Sequence, residues 1–364
     1  MPRATPRLAF TFASFWMLLA TGAIAQEAPI PPQAKPTVKS GTTVKSQPTK
    51  PEKAAEKADD EEPAPLPAED TAEAAEALPA GPAPGAAAGQ TYLLRYKISK
   101  GDVLRWEISH QVDFDTTVNG TTQRAKTYSK STKVWRVTDV QPGGKFTFQH
   151  IVEDSAMWQE LTGRARVEWD SKKDATVPSG YESIAASLGK PLYLVEMDTQ
   201  GKLLQKISQK PGKPVEEEDL GDDDSQMTLP LPKDAVPLGF AWHFPFDIKL
   251  PVDGGGVKIY KAREKFQLMT VKDGVATVSI ETQVLTPVRD PAVESQLIQR
   301  GGRGEVKFDI AKGRVVSQQV DVDKSVVGFR GPASSIHYVS RFTERLLDGE
   351  KKTASNAKTA KAAE

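Results

Sequence analysis

From residue 92 onward the apolar residues fall on every second position, the period of a strand with one face buried. Tyr92, Leu94, Tyr96 and Ile98 alternate with polar neighbours, which predicts a first strand. After Lys100-Gly101, the positions Leu104, Trp106, Ile108, His110, Val112 and Phe114 mark one face of a long strand. Asn119-Gly120 predicts a tight hairpin turn, because both residues accept positive φ. A strand over 121–140 carries Trp135 and Val137 on one face. Gln141-Pro142-Gly143-Gly144 turns it into another with Phe146, Phe148, His150 and Val152. Val167 and Trp169 suggest a short strand. Ser179-Gly180-Tyr181-Glu182 reads as a capping box, and Tyr181, Ile184 and Leu188 follow at helical spacing up to Gly189. A hairpin over 192–207 closes this series.

The series then repeats. Phe240, Trp242, Phe244 and Phe246 alternate, Gly254-Gly255-Gly256 turns, and strands at 257–271 and 275–286 meet at Asp273-Gly274. Asp290-Pro291 opens a second short helix, with Asp at the cap and Pro at the first position. Val293 and Leu297 mark its inner face. A hairpin about Lys312-Gly313 and a last strand over 336–347 complete it. Trp135 and Val137 correspond to Phe266 and Leu268; Phe146, Phe148 and His150 to Ala276, Val278 and Ile280; and Met197-Asp198 before Gly201 to Phe308-Asp309 before Gly313. A unit of about a hundred residues is too long for a solenoid repeat. The expected fold is all-β and mainly antiparallel. It is built as two related lobes or one duplicated curved sheet, with two short covering helices. The expected lobes are 91–208 and 239–349, joined by 209–238. That connection holds an acidic run, with seven carboxylates over 216–224, and a proline-stiffened bridge from 229.

The flanks have a different composition. Residues 26–90 carry 12 of the chain's 27 prolines and no aromatic residue, too little apolar surface to offset the entropy of ordering. They read as a linker with a lysine block followed by an acidic block, and 350–364 as a Lys/Ala tail. At the start, Arg3 and Arg7 precede an apolar run over 8–20, and Ala23-Ile24-Ala25 supplies small residues at a cleavage site. That is the pattern of a secretory signal peptide, 1–25, cut after Ala25. The mature chain is expected to be secreted or periplasmic, with no membrane-spanning segment.

Charge and chemistry narrow the function further. Equal numbers of basic and acidic residues, 48 each, give no electrostatic footprint for nucleic acid. With no cysteine there are no disulfides and no thiolate chemistry. Serine-hydrolase, zinc-protease, P-loop and EF-hand motifs are absent. Gly301-Gly302-Arg303-Gly304 precedes a strand, whereas a phosphate cradle opens a helix. No catalytic, metal or cofactor residue is assigned. His110 and His150 both fall on apolar strand faces, which makes them candidates for a shared metal or a catalytic dyad; the reading as core or semi-buried histidines is preferred, because Ile280 takes the slot of His150 in the repeat. The acidic run lacks calcium-loop spacing. Trp106, Trp135 and Trp242 sit in core alternation. Trp158 and Trp169 lie where the alternation loosens and are the candidate ligand-binding residues, on a surface or in a groove.

The segment Tyr92-Leu-Leu-Arg-Tyr-Lys-Ile-Ser-Lys-Gly-Asp102, with Leu231-Pro232 and Gly239-Phe-Ala-Trp242, resembles an uncharacterised family of bacterial secreted proteins and lipoproteins over 91–347. No activity follows from that resemblance. The chain departs from the lipoprotein members in having no lipobox cysteine. The hairpins that follow a helix also resemble periplasmic lipoprotein carriers and related half-barrels, which implies an antiparallel sheet wrapping an apolar groove. The function expected is non-enzymatic binding outside the cytoplasm, of an apolar ligand or an envelope protein on a concave sheet. Binding of an envelope polysaccharide is the alternative, and a carboxylate-dependent hydrolase comes third.

Overall fold

The computed structural model describes residues 89–210, 212, 215–217, 227–252 and 256–347. The leader at 1–25, nearly all of the 26–90 linker, most of the 216–224 acidic run and the 350–364 tail lie outside these residues.

The strands are β1 (Thr91–Tyr92), β2 (Val103–Val118), β3 (Thr121–Val140), β4 (Phe146–Leu161), β5 (Val167–Asp170), β6 (Pro191–Met197), β7 (Leu203–Ser208), β8 (Glu216–Glu217) and β9 (Val236–Pro237). They continue with β10 (Ala241–Val252), β11 (Gly256–Lys272), β12 (Val275–Val284), β13 (Arg303–Asp309), β14 (Arg314–Val327) and β15 (Ser334–Leu347). Helix α1 (Glu182–Ser187) precedes β6, and α2 (Pro291–Leu297) precedes β13. β1 and β9 form a two-stranded ribbon. The others make one antiparallel sheet in the order β10-β11-β12-β13-β14-β15-β2-β3-β4-β6-β7-β8, with β5 also on β4. The fold is all-β and the duplication takes the form of one sheet. The second series of strands lies directly beside the first, and β15 joins β2.

The register makes the duplication explicit. Leu104, Trp135 and His150 lie opposite one another on β2, β3 and β4, as do Trp242, Phe266 and Ile280 on β10, β11 and β12. Phe146 faces Met197 as Ala276 faces Phe308. Both helices fall in the same slot. Asp290 caps α2 by accepting from the Ala292 amide at 2.9 Å, as expected. The capping box of α1 does not form. Tyr181 occupies the cap without a side-chain bond, its ring buried, and Glu182 turns back to accept from the Gly180 amide.

The predicted strand over 92–98 is a second departure. Only Thr91 and Tyr92 pair, with Pro237 and Val236. The alternation is real, since Leu94 and Tyr96 are buried while Leu93 and Lys97 are exposed and Arg95 is half-buried. Its backbone, however, bonds to the turns of two hairpins. The Tyr96 amide donates to Thr199 (2.8 Å) and the next amide, Lys97, to Gly313 (3.0 Å). Those turns belong to the β6–β7 and β13–β14 hairpins. β6 and β14 are five strand spacings apart, about 24 Å on a flat sheet. Consecutive amides place the two carbonyls within about 10 Å of each other. The sheet is therefore strongly curled at this end, and 92–98 plugs it. The Leu229 segment joins the plug: the Tyr96 hydroxyl accepts from the Leu229 amide (3.0 Å), and Leu231 N donates to Gln200 O (2.8 Å). Gly304 permits the tight approach of β13 to β14, because a Cβ there would overlap the Gln319 backbone. A Cβ at Gly302 would instead meet the Val320 side chain, and one at Gly301 that of Lys324.

Candidate functional site

The two faces of the sheet differ in chemistry. The outer face carries cross-strand ion pairs, among them Arg124–Asp115 (2.6 Å), Lys130–Glu107 (2.7 Å), Arg341–Asp321 (2.7 Å) and Lys261–Asp247 (2.7 Å). Such pairs belong to a water-facing surface. The inner face is apolar at both ends of the strands. At the plugged end Leu94, Tyr96, Leu229 and Leu231 pack on Phe148, Val195, Phe266, Leu268 and Phe308. At the other end the helices cover it. Ile184 of α1 packs with Met157, Trp169 and Tyr181. Leu297 at the end of α2 packs with Ile248, Tyr260 and Ala262, and Ile298 with Val112, Val322, Val326 and Tyr338.

Between these layers the central strands are uncovered. Ile108 and His110 on β2, Ser129 on β3, Val320 on β14 and Phe342 on β15 share the inner face, and all are half-buried. The rings of His110 and Phe342 meet edge-on at 6.4 Å. Burial pushes the His110 imidazole down to about 4. These residues floor a trough whose flanks are the α1 and α2 clusters. Beneath its α1 flank, Ser155 Oγ, Gln159 Oε1 and Trp169 Nε1 are buried without a hydrogen-bond partner among the described residues.

At the inner end of the trough a buried ion pair spans the sheet. Lys133 on β3 pairs with Glu344 on β15, across β2. Its ammonium also lies 4.9 Å from the Trp106 ring and 5.4 Å from that of Trp135. Trp106 is fixed by a bond from Nε1 to Val315 O (3.1 Å). A cavity of about 10 Å³, lined by Tyr96, Trp106, Lys133, Leu229, Gln318 and Glu344, has room for about one water. His150 is buried nearby and is pushed down to about 3 by burial and by the charges of Lys133 and Lys206. On the other arm Glu264 is 6 % exposed, and burial alone pushes its carboxyl up to about 7.

The two histidines do not meet. His110 lies opposite Ser129 and His150 opposite Trp135, six residues apart along β3, or about 20 Å. The two tryptophans do not share a face either. Trp169 is buried on the inner face beneath α1 and is not on a surface. Trp158 is half-buried on the outer face, stacked on Tyr128 at 6.2 Å, with the Arg166 guanidinium 4.2 Å from its ring. Among the described residues, no group of three or more acidic or histidine side chains is placed to hold a metal. The sequence reading missed Lys133, Glu264 and Glu344. Their signal was a charge on the apolar parity of a strand, as in Tyr260, Ala262, Glu264, Phe266, Leu268.

No protein-family model and no curated protein matches the chain. Among solved structures, lipovitellin, determined for its lipid–protein interactions, aligns with a TM-score of 0.38 and 11% identity over 69% of this chain. The aligned part is 25% of the lipovitellin chain. DynF, from the dynemicin biosynthesis pathway of Micromonospora chersina, aligns with a TM-score of 0.19 and 8% identity over 71% of this chain and 86% of its own. Both likenesses are distant.

Proposed function

We propose that the protein is a non-enzymatic, extracytoplasmic binding protein that holds an apolar or amphiphilic small molecule in the inner trough. The observation that carries this reading is the uncovered strip of Ile108, His110, Val320 and Phe342 between two helix-covered layers. Half-buried apolar side chains on a curled sheet, with the His110 ring among them, suit a ligand with an acyl body and a polar group. The charged outer face supports the choice of the inner one. The signal-peptide pattern at 1–25 supports a secreted or periplasmic location, and the lipoprotein-carrier resemblance accords with both.

The test begins with native mass spectrometry of the full chain purified, without detergent, from the organism that makes it. A small-molecule adduct removed by organic solvent is expected. The stripped protein should bind N-phenyl-1-naphthylamine with a rise in its fluorescence, and Ile108→Glu should abolish that rise. A chain with no adduct and no fluorophore binding would overturn the reading. The polysaccharide alternative has one observation of its own, the Trp158–Tyr128 stack on the outer face. There the Arg166 guanidinium already lies against the tryptophan.

A further inference from the structure

The duplication places two buried charges at one structural position. Two residues before Trp135 on β3 is Lys133, and two before its counterpart Phe266 on β11 is Glu264. Each points to the inner face and lies opposite an aromatic residue on the preceding strand, Trp106 for Lys133 and Phe244 for Glu264. In the first unit the charge is complete. The Lys133 ammonium is met by the Glu344 carboxylate, from the strand beyond β2, and by the rings of Trp106 and Trp135. In the second unit the corresponding strand would lie beyond β10, where the described sheet ends. Glu264 has no ion pair or hydrogen bond to its side chain among the described residues. Around it are the half-buried Phe244 and Thr282 on the neighbouring strands, and Phe266, itself stacked on Trp242 at 5.7 Å.

An unpaired buried carboxyl costs stability and contributes nothing to packing that a leucine would not. Its surroundings repeat what holds Lys133, a carboxylate with aromatic faces, without the ammonium. We infer that Glu264, three strand spacings or about 14 Å from Val320 across the inner face, is the polar anchor for a ligand lying along the trough: it receives an organic ammonium group, so the ligand is a cationic amphiphile and not a fatty acid or an anionic lipid. Thr282, directly opposite on β12, can accept one further N–H. This inference rests on the trough reading above.

Isothermal titration of the full chain with decylamine, decanol and decanoate, equal in chain length, tests it at pH 8. Decylamine is expected to bind about tenfold or more tighter than decanol, the scale of one charge-assisted contact, and decanoate more weakly than either. In Glu264→Gln the preference for the amine should vanish while decanol affinity stays within about twofold of its original value. The same variant should melt at or above the wild-type temperature, since no protein partner is lost. Retention of the amine preference in Glu264→Gln, a preference for decanoate, or a lower melting temperature in the variant would each overturn the assignment. Decanol binding with no amine advantage removes the Glu264 anchor and leaves the trough. Failure of all three ligands to bind removes both.

Discussion

At the scale of single residues, the inner face is defined by charges placed where alternation calls for apolar side chains. The sequence pattern assigned these strands correctly but gave Lys133, Glu264 and Glu344 no special meaning, because parity says which face a residue takes and not whether a partner waits there. The tryptophans show the same limit. Trp158 and Trp169 both fall in a stretch of loose alternation, yet β5 pairs with β4 so that Trp169 lies opposite Met157, beneath α1, while Trp158 points to the other face. The titrating groups give the inner face a predictable response to acid. His110 and His150 are pushed down to about 4 and about 3, so the unfolded chain binds their protons first as pH falls. Each contributes stability that is present above about pH 6.5 and is lost through its folded value, on the order of 2 kcal/mol or more apiece. Glu264 works in the opposite sense. Its carboxyl is pushed up to about 7, so the folded state takes the proton first, and a cost present above pH 7 is relieved by about pH 4.5. Two losses outweigh one relief, and urea midpoints are expected to fall between pH 7 and pH 4. His110→Gln should flatten that fall and Glu264→Gln should steepen it. Equal slopes in all three proteins would show that these groups do not titrate with folding.

At the scale of elements, hairpins were legible because their turns need special backbone angles. Asn119-Gly120 and Asp273-Gly274 both take positive φ at both residues, as the sequence pattern requires for two-residue turns. The plug was not legible, because alternation records burial on one side of an extended chain and is silent about what its amides bond to. Residues 92–98 look like a strand and serve instead as a bridge between two turns. Gly313 is the tightest point of that bridge, since a Cβ there would fall on the backbone of Arg95 and Lys97. Its φ of +61° adds the strain of a left-handed residue with a side chain. Gly120, at φ +78°, carries the same strain with nothing near it. Both alanine variants should therefore lose about 1 kcal/mol or more from backbone strain. Gly313→Ala should lose at least about 2 kcal/mol beyond Gly120→Ala, because it also pushes the plug out of its seat. Urea midpoints of the two variants measure the difference. Equal losses would mean that the plug does not depend on this contact. Gly313→Ala should also speed hydrogen exchange at the Tyr96 and Lys97 amides, which bond to Thr199 and Gly313.

At the scale of the whole molecule, two tandem series of strands have become a single sheet, and its joints are as long as its internal pairings. All fourteen residues of β15 pair with β2. The plug adds a second connection by bonding to a turn from each series. The edge of the described sheet at β10 carries Pro245 and Pro251, residues of one parity that cannot donate to an incoming strand, which guards it against further pairing. The order of turns and helices made the duplication visible in the sequence. The choice between two lobes and one sheet rested on the pairing of β15 with β2, two strands separated by more than two hundred residues, and local pattern carries no information about that. The architecture predicts one cooperative unit across 91–347. Glu344 offers the sharpest test, because it sits on the joining strand and neutralises Lys133 on the other side of β2. Glu344→Gln leaves a buried ammonium without its carboxylate, a lesion of about 3–5 kcal/mol. Four of the six tryptophans, Trp106, Trp135, Trp158 and Trp169, lie in the first series, so intrinsic fluorescence reports mainly on that half. Far-ultraviolet circular dichroism reports on both. In urea the two signals should share one midpoint in the wild type, and Glu344→Gln should move both down together. A variant in which the fluorescence midpoint moves while part of the dichroism transition stays in place would show that the two series unfold separately and that the β15–β2 joint is not a cooperative one.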